Sequence, residues 1–577
     1  MSLFTEFPTP NNDENTPSGE IQYIGNFHKT LPHNDFGEVE VPAYRKFKEI
    51  CLQIEARLPL SYNDVAQGSL ATSTFVGPRP SDVARFTNPL AAAATETSGP
   101  DPKAINIIPA PGVRSASTAA EFTELYWMAL LRDVPLVELT TDSRVSDAVT
   151  ELSKVFADAL ANDKSEGGLR LGLDLPVADG ALDISVQTLF RSGLRDEQYG
   201  PLVSQFFLRD IQYGAQSIRQ RLRPYAAKRD FLTSYEDWIR AQNTGYDRHA
   251  RGYSTCNFFA DDAAYYAAAD RHISTMRDLA RFVNRDALHQ AYFNAALFLD
   301  AARADVDEGN PYRGARYGRE GDFGTLGGPD LLTLVSEVAS RALKVIWRQK
   351  WFVHRRARPE AYGGLVQMQF KGRQSDKRAY GLPNWVAETK AAQAIELQNG
   401  AVNPDRAKTL FLPMAFSAGS PTHPAYGAGH ATVAGACVTV LKAWFREDQS
   451  FVELLDRARQ PLRQRDPFTV LPLLQPGSKL ATPDSYGEPT PYTGPDASRM
   501  TVGGELNKIA SNVAMGRSMG GVHWRSDNTR SLRVGERIAI EILRKRTVEY
   551  AERPVSFTFR SFDGQMVQVS SGQVRMF

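Results

Sequence analysis

The sequence predicts a mainly α-helical protein of the all-α class, completed by one small β-hairpin. Apolar residues recur at helical spacing in several long segments, whereas strict alternation of apolar and polar residues is confined to the C-terminal tail. With 577 residues, 42% of them apolar, the chain is long enough to fill a large helical interior. Periodicity therefore predicts the fold class, and length predicts a substantial core.

Charge and cysteine content exclude several classes of function. The 67 basic residues nearly cancel the 66 acidic ones, so no broad field attracts nucleic acid or an anionic membrane. The scattered Cys51, Cys256 and Cys437 form neither a disulfide framework nor a zinc-ligand spacing. The chain shows no signal peptide and no apolar run near the ~20 residues of a membrane span. We therefore expect a cytoplasmic or otherwise intracellular protein with no nucleic-acid or membrane partner.

The N-terminal part is predicted to begin as a flexible arm and to continue as helices. Residues 1–20 are rich in Pro, Asn, Thr and acidic side chains, a composition typical of disorder. In "TAAEFTELYWMALLRDVP", Thr118 and Glu121 have capping-box spacing and an apolar face precedes Pro135. This segment is predicted to be a buried helix.

A glycine-rich stretch follows in the middle of the chain, at 309–330. It contains seven glycines and no periodicity, which predicts a long ordered loop. Its carbonyl groups, with Asp322 or Glu320, offer ligands for a structural calcium ion, although a plain loop is the simpler interpretation. In the tail, alternation around Asp563 and Gly564 predicts the β-hairpin.

A long helix is predicted from Asp330, as N-cap, to Pro359, which stops it. Its C-terminal end carries the cations Arg348, Lys350, Arg355, Arg356 and Arg358. Taken alone, these cations are best explained as facing water and favouring the negative end of the helix dipole. Binding of an anion is the functional alternative.

A second cation lies on an apolar stripe. In "GGELNKIASNVAMGRSMGGVHWRSDN" the stripe continues directly to Arg517, which predicts a buried guanidinium that needs an acid or an anion as partner. His523 follows, with Asp527 four residues later. A histidine oriented by a carboxylate can be a nucleophile or a metal ligand, although a lone histidine is more often an ordinary core residue.

The stretch "HPAYGAGH" precedes another buried helix. Because Gly427 to His430 enter this helix, their backbone N–H groups are available to an oxyanion. Together with His423 and the cations, they offer more positive charge than one carboxylate needs. The set fits a compact tetrahedral oxyanion, phosphate or vanadate.

These three motifs resemble the vanadium-dependent haloperoxidases, specifically the bromoperoxidases of red algae and cyanobacteria, which share their anion site with the type 2 phosphatidic acid phosphatase superfamily. "KWFVHRRARP" is similar to the family's Lys-x7-Arg-Pro, "HPAYGAGH" to its His-Pro-…-Ser-Gly-His, and "RSMGGVHWRSD" to its Arg-x3-Gly-x-His-x3-Asp. Weaker likenesses at "LPHNDFG" and "YWMALLRDVP" extend the resemblance over most of the chain from about Gly19.

The resemblance implies a role for each site residue. His523 would be the single protein ligand to vanadium, and Asp527 would support it. His430 would contact the apical hydroxide as acid and base. His423 matches a histidine typical of bromide-oxidising members. The residues that bind the oxygens of vanadate would be Lys350, Arg358, Gly429 and Arg517, and Lys350 would also activate the bound oxidant.

The implied activity is oxidation of bromide by hydrogen peroxide to hypobromous acid, which halogenates small organic acceptors. Chloride is an alternative substrate. Gln349, beside Lys350, lies where a neighbouring charge could alter the preference for one halide over the other. One position departs from the pattern: Ala428 replaces the family's serine, and Gly427 the preceding proline. Losing that hydroxyl costs roughly 1.5–3 kcal/mol of vanadate binding unless Thr422 or water replaces it.

The sequence-based division has four parts: an arm at 1–20, an N-terminal helical region at 21–328, a catalytic helical bundle at 329–550 and the hairpin at 551–577. The expected architecture is two helical bundles around a buried oxyanion site. Relatives of this length form large assemblies, so the resemblance implies a homo-oligomer, with a dodecamer as the suggested number. The alternatives are an acid phosphatase acting through a phospho-histidine and a non-catalytic scaffold.

Overall fold

The computed structural model describes residues 21–56, 61–97, 99–253, 265–313, 318–373, 376–459 and 480–577. The predicted arm at 1–20 and Cys256 lie outside the described residues. Cys51 and Cys437 are both buried. Within the described ranges no helix is long and apolar enough to cross a bilayer. The intracellular compartment stays a prediction.

The described residues form thirteen α-helices, which confirms the predicted fold class. In chain order they are α1 Val41–Glu55, α2 Ala116–Leu130, α3 Ser143–Asn162, α4 Tyr235–Thr244, α5 Met276–Arg285, α6 Gln290–Ala301, α7 Gly328–Arg348, α8 Pro359–Phe370, α9 Lys390–Val402, α10 Gly429–Trp444, α11 Phe451–Arg459, α12 Val502–Met519 and α13 Arg525–Glu549.

Strands are few, and each sheet in the described residues is small and antiparallel. The two-stranded ribbons pair β1 Val177–Ala178 with β2 Ala181–Leu182, β3 Ile211–Tyr213 with β4 Gln216–Ile218, and β5 Ala481–Pro483 with β6 Pro489–Pro491. The predicted hairpin is formed by β7 Ser556–Arg560 and β8 Met566–Ser570, which turn at Gly564. A third strand, β9 Gln573–Met576, extends this sheet and was not predicted.

Helix α10 lies at the centre and packs against α7, α12 and α13. It is apolar on nearly every side, and an all-round apolar helix is stable only when it is covered. Its crossing with α13 is a backbone contact: a Cβ added to Gly435 would lie 1.9 Å from the Leu532 carbonyl oxygen, and one added to Gly535 would lie 2.0 Å from that of Thr432. Glycine is therefore required on both helices at the crossing.

Two predicted helix starts are wrong. The cap of α2 is Ser115, which accepts the N–H of Thr118, so Thr118 lies inside the helix. The cap of α7 is Gly327, and Asp330 instead lies in the first turn, where it accepts the N–H of Leu326. In both cases the polar residue lies at the third position of the helix; the Asp330 carboxylate accepts an N–H there, whereas the Thr118 hydroxyl donates to the Gly112 carbonyl oxygen.

The predicted end of α7 is also wrong. The helix ends at Arg348 and continues as a π-helical segment, Gln349–His354, while Pro359 is the first residue of α8. Proline fits this position because its missing N–H is not needed there. The wider turn directs Lys350 into the interior, and Arg355, Arg356 and Arg358 are buried as well. The expectation that these four cations face water is therefore incorrect.

The domain boundaries remain a prediction. One continuous core cluster includes residues from the N-terminal region, such as Phe122, and from the predicted catalytic bundle, such as Val438.

Candidate active site

Three chain segments far apart in sequence meet at one buried pocket. The π-helical segment and the start of α8 provide Lys350 and Arg358, and the entry to α10 provides His423, Gly429 and His430. The end of α12 provides Arg517, the turn after it provides His523, and the first turn of α13 provides Asp527. The structure thus brings the sequence-predicted site residues into one region, and the spacing of His523 and Asp527 had predicted the contact between these two.

Arg358 connects the two histidines of the pocket. Its guanidinium donates to His523 Nε2 at 2.9 Å and to His423 Nδ1 at 2.8 Å, and it also donates to the carbonyl oxygens of His423 and Val522. Because a guanidinium can only donate, both ring nitrogens carry lone pairs. The lone pair of His523 Nε2 therefore faces the Arg358 guanidinium inside the pocket.

Asp527 fixes the tautomer of His523. Its Oδ2 accepts the Nδ1–H of His523 at 2.9 Å and the backbone N–H of Trp524 at 3.1 Å. Its Oδ1 accepts from Arg356 at 2.7 Å, and Arg356 reaches Glu121 at 3.0 Å. This carboxylate arrangement is typical of a histidine that uses its other nitrogen to bind a metal.

Burial keeps His523 uncharged. Burial lowers its pKa well below the usual value, and Arg358, Lys350 and Arg517 lower it further. For His423 the pKa is also lowered well below the usual value, first by burial and then by Lys350. A neutral imidazole is the form that binds a metal.

Lys350 is completely buried and has no carboxylate partner among the described residues. Its ammonium donates to the carbonyl oxygens of Pro424 at 2.7 Å and Ala425 at 3.1 Å and lies 5.5 Å from the ring centre of Trp347. Burial lowers the pKa of Lys350 well below its usual value, and Arg358 adds to this effect. Lys350 therefore brings positive charge to the site without forming an ion pair with a carboxylate of the described residues.

Arg517 is similar. It donates to the hydroxyl of Tyr253 and, at 2.7 Å, to the Val283 carbonyl oxygen, and its buried Nε has no hydrogen-bond partner among the described residues. Other buried arginines behave differently: Arg132 pairs with Asp230, Arg525 with Glu124 and Arg530 with Asp174. Lys350, Arg358 and Arg517 differ from these arginines because none of them forms an ion pair with a carboxylate of the described residues.

The N-terminus of α10 completes the positive lining. Ala428 is its cap and has no side-chain capping bond. The N–H groups of Gly429 and His430 have no acceptor among the described residues. Free N–H groups at a helix N-terminus bind anions. A Cβ at Gly429 would lie 3.1 Å from the Trp347 ring, so this backbone is closely packed against α7.

His430 has a carboxylate partner that the sequence analysis missed. Its Nε2 lies 3.1 Å from Oδ1 of Asp286, the residue directly after the end of α5. Because the carboxylate accepts, Nε2 carries the hydrogen and Nδ1 of neutral His430 is free to accept a proton. Burial lowers the pKa of His430, Asp286 raises it, and Arg517 and Lys350 lower it.

Several other functional side chains were missed. Arg356 was assigned to solvent with its neighbours, and Glu121 to a capping box, yet the two form the buried network behind Asp527. Asp286 and Tyr253 occur in segments without a motif. Only long-range packing brings them to the pocket, so no local sequence signal could have identified them.

The donor set fits vanadate. Three buried cations without protein carboxylates, free helix N–H groups and one neutral imidazole nitrogen match a tetrahedral oxyanion whose central atom accepts a nitrogen ligand. Phosphate satisfies the same charges. The geometry alone therefore indicates an oxyanion site and leaves the choice of oxyanion to other evidence.

Comparisons with known proteins narrow the choice. Residues 331–551 match the family model described as the VCPO second helical-bundle domain. The vanadium-dependent bromoperoxidase of Corallina pilulifera is 31% identical, with 98% of this chain and 93% of that protein covered. The vanadium-dependent bromoperoxidase of Ascophyllum nodosum is also 31% identical, with 96% of this chain and 87% of that protein covered.

A solved structure agrees. The second vanadate-dependent bromoperoxidase from Ascophyllum nodosum, described as homohexameric, is 28% identical and superposes with a TM-score of 0.76, covering 99% of this chain and 89% of that one. Full-length similarity in sequence and fold, added to the pocket described above, leads to one conclusion. The chain belongs to the vanadium-dependent bromoperoxidases and is a haloperoxidase.

Proposed function

We propose that the chain oxidises bromide with hydrogen peroxide at vanadate bound in this pocket. The reaction consumes hydrogen peroxide, bromide and a proton and releases hypobromous acid and water. Hypobromous acid then brominates small organic acceptors. The observation that carries the proposal is the neutral His523 Nε2 among Lys350, Arg358 and Arg517, cations that have no carboxylate partner in the described residues.

Each residue has a role in this proposal. Bound vanadate supplies a Lewis-acidic vanadium(V) centre that activates hydrogen peroxide without changing its oxidation state. His523 holds the cofactor, and Asp527 keeps its ring in the binding tautomer. The ammonium of Lys350 and the guanidinium groups stabilise negative charge in the pocket. His430, oriented by Asp286, accepts and returns protons at Nδ1.

Reconstitution tests the proposal directly. Metal-stripped protein is incubated with orthovanadate and assayed for bromination of monochlorodimedone with bromide and hydrogen peroxide. We expect bromination only after vanadate is added. Chloride in place of bromide tests the second halide. Absence of bromination together with rapid hydrolysis of p-nitrophenyl phosphate would support the phosphatase alternative, since His523, Asp527 and His430 could also form and resolve a phospho-histidine.

The Asp286 carboxylate should control the pH dependence. In Asp286→Asn the negative charge that raises the His430 pKa is lost, so burial and the two cations keep that pKa lower. Because neutral His430 takes up the proton, activity is lost as pH falls through its pKa. We expect the acidic limb of the kcat/KM profile to move to lower pH, with a loss in rate of about 10- to 100-fold from the misoriented ring.

Asp300→Asn is the matched control for this profile. Asp300 is an exposed carboxylate of α6 that lies near Gly328, at the start of α7. Its variant should keep the wild-type pH profile. An unshifted acidic limb in Asp286→Asn would contradict the role given to this carboxylate.

Two further predictions concern assembly into a homo-oligomer and binding of a structural calcium ion. The homohexameric Ascophyllum relative supports a homo-oligomer for this chain, while the dodecamer rests on the sequence resemblance alone. Calcium receives no support from the described residues: Glu320 pairs with Arg553, and no group of three metal-binding side chains occurs among them.

A further inference from the structure

Ser531 occupies a position that the function described above does not use. It lies on α13, four residues after Asp527, so the two side chains share one face of the helix. Ser531 is completely buried, and its Oγ accepts the backbone N–H of Ala428 at 2.9 Å. One face of α13 therefore contacts both sides of the pocket, the His523 side through Asp527 and the α10 side through Ser531.

The glycine crossing of α10 and α13 fixes this contact. With Gly435 against Leu532 and Gly535 against Thr432, the two backbones touch without an intervening side chain. The approach leaves little freedom for Ser531 to move relative to Ala428. A single hydroxyl can therefore determine the position of the loop that enters α10.

Gly427 leaves the space that the Ser531 hydroxyl needs. A Cβ added at Gly427 would lie 2.7 Å from Ser531 Oγ and 2.5 Å from Ile346 Cδ1. Both distances are too short for real contacts, so a side chain at position 427 would displace the Ser531 hydroxyl, the end of Ile346 or both. This position and the next, Ala428, are the two at which the chain departs from the proline and serine of the family pattern.

Hydroxyl groups hold both backbone polar groups of Ala428. Ser531 accepts its N–H, and its carbonyl oxygen accepts from the Thr432 hydroxyl at 2.8 Å. The next two N–H groups, those of Gly429 and His430, stay free. Thr422, considered from the sequence as a substitute donor, is engaged elsewhere because its hydroxyl donates to the Arg85 carbonyl oxygen at 2.5 Å.

We propose that Ser531 is a positioning residue for the oxyanion: it anchors Ala428 so that the N–H groups of Gly429 and His430 face the pocket, and it thereby compensates for the missing serine at position 428. This inference rests on the proposed function, because it assumes that the pocket binds vanadate. Ser531 acts through Ala428 and Gly429 and needs no contact of its own with the cofactor.

Vanadate binding to the metal-stripped protein, measured by titration calorimetry, tests the inference without any activity assay. We expect Ser531→Ala to weaken binding about tenfold, the effect of one ordinary hydrogen bond. Ala428→Ser should change the wild-type affinity little but should recover most of the loss in the Ser531→Ala background, because the two hydroxyls serve the same end of α10. Inorganic phosphate, titrated in parallel, should show the same pattern.

Thr439→Ala is the matched control, since Thr439 is a buried hydroxyl of α10 whose one hydrogen bond among the described residues is to the Gly435 carbonyl oxygen of its own helix. It should leave vanadate affinity unchanged. If Ser531→Ala does not fold, Ser531→Cys replaces the hydroxyl by a weaker acceptor and should also weaken binding. If the wild type and the folded Ser531 variant bind vanadate with equal affinity, the inference alone is overturned. If the wild type does not bind vanadate, the proposed function and the inference are both overturned.

Discussion

Replacing His523 by alanine is expected to abolish vanadate-dependent bromination. The change removes the nitrogen that would bind the cofactor, and Asp527 still has Arg356 as a partner, so we expect the fold to be retained. Loss of a residue that supports a metal ligand commonly costs 10- to 100-fold, so loss of the ligand itself should exceed about 100-fold in activity and in vanadate affinity. Equilibrium dialysis with vanadate and the monochlorodimedone assay measure the two effects.

His272→Ala provides the control for this experiment. His272 is also buried, but its ring contacts the Gly487 carbonyl oxygen away from the pocket. Its variant should bind vanadate as the wild type does. Vanadate-dependent turnover that survives in His523→Ala would remove His523 from the role of ligand.

Replacing Lys350 by methionine is the second large change. Methionine fills a similar volume but removes an ammonium that lies in the pocket without a carboxylate partner among the described residues. Removing one preorganised charge from such a site costs roughly 100- to 1,000-fold in kcat. Because an unpaired buried charge is itself unfavourable, the free energy of unfolding should change little. Steady-state kinetics and denaturant unfolding measure the two quantities.

Lys508→Met should give the opposite result. Lys508 is equally buried, but it pairs with Glu505 at 2.5 Å, so the variant leaves a buried carboxylate without its partner. We expect a loss of about 3–5 kcal/mol in stability and no change in the vanadate affinity of the folded protein. If Lys350→Met lost stability in the same way and kept its activity, Lys350 would have a structural role only.

The sequence predicted the helices better than it predicted their ends. Apolar periodicity identified α2, α7, α10 and α12 because burial of one face leaves a direct record in residue spacing. Caps failed at Thr118 and Asp330, since a polar residue in the first turn has the same local appearance as a cap. The π-helical segment at Gln349–His354 has no characteristic residue spacing, so the sequence did not predict it. The burial of Lys350 was therefore not predicted either.

The candidate site divides in the same way. Residues in motifs, such as His430, Arg517 and His523, could be identified from local sequence together with the family resemblance. Asp286, Glu121 and Ser531 could not, because each is defined only by contact with a residue more than a hundred positions away. The residues of these motifs could thus be identified from the sequence, whereas the groups that orient them could be identified only from the fold.

The contact between the backbones of α10 and α13 has a consequence for how the pocket can be altered. Side chains that interdigitate can change rotamer and absorb a substitution, but at Gly435 and Gly535 there is no such layer to deform. The two helices therefore form an incompressible frame. Changes in pocket shape among related enzymes should accumulate in the segments attached to that frame, around Gln349–His354 and Thr422–Gly427, and spare the crossing itself.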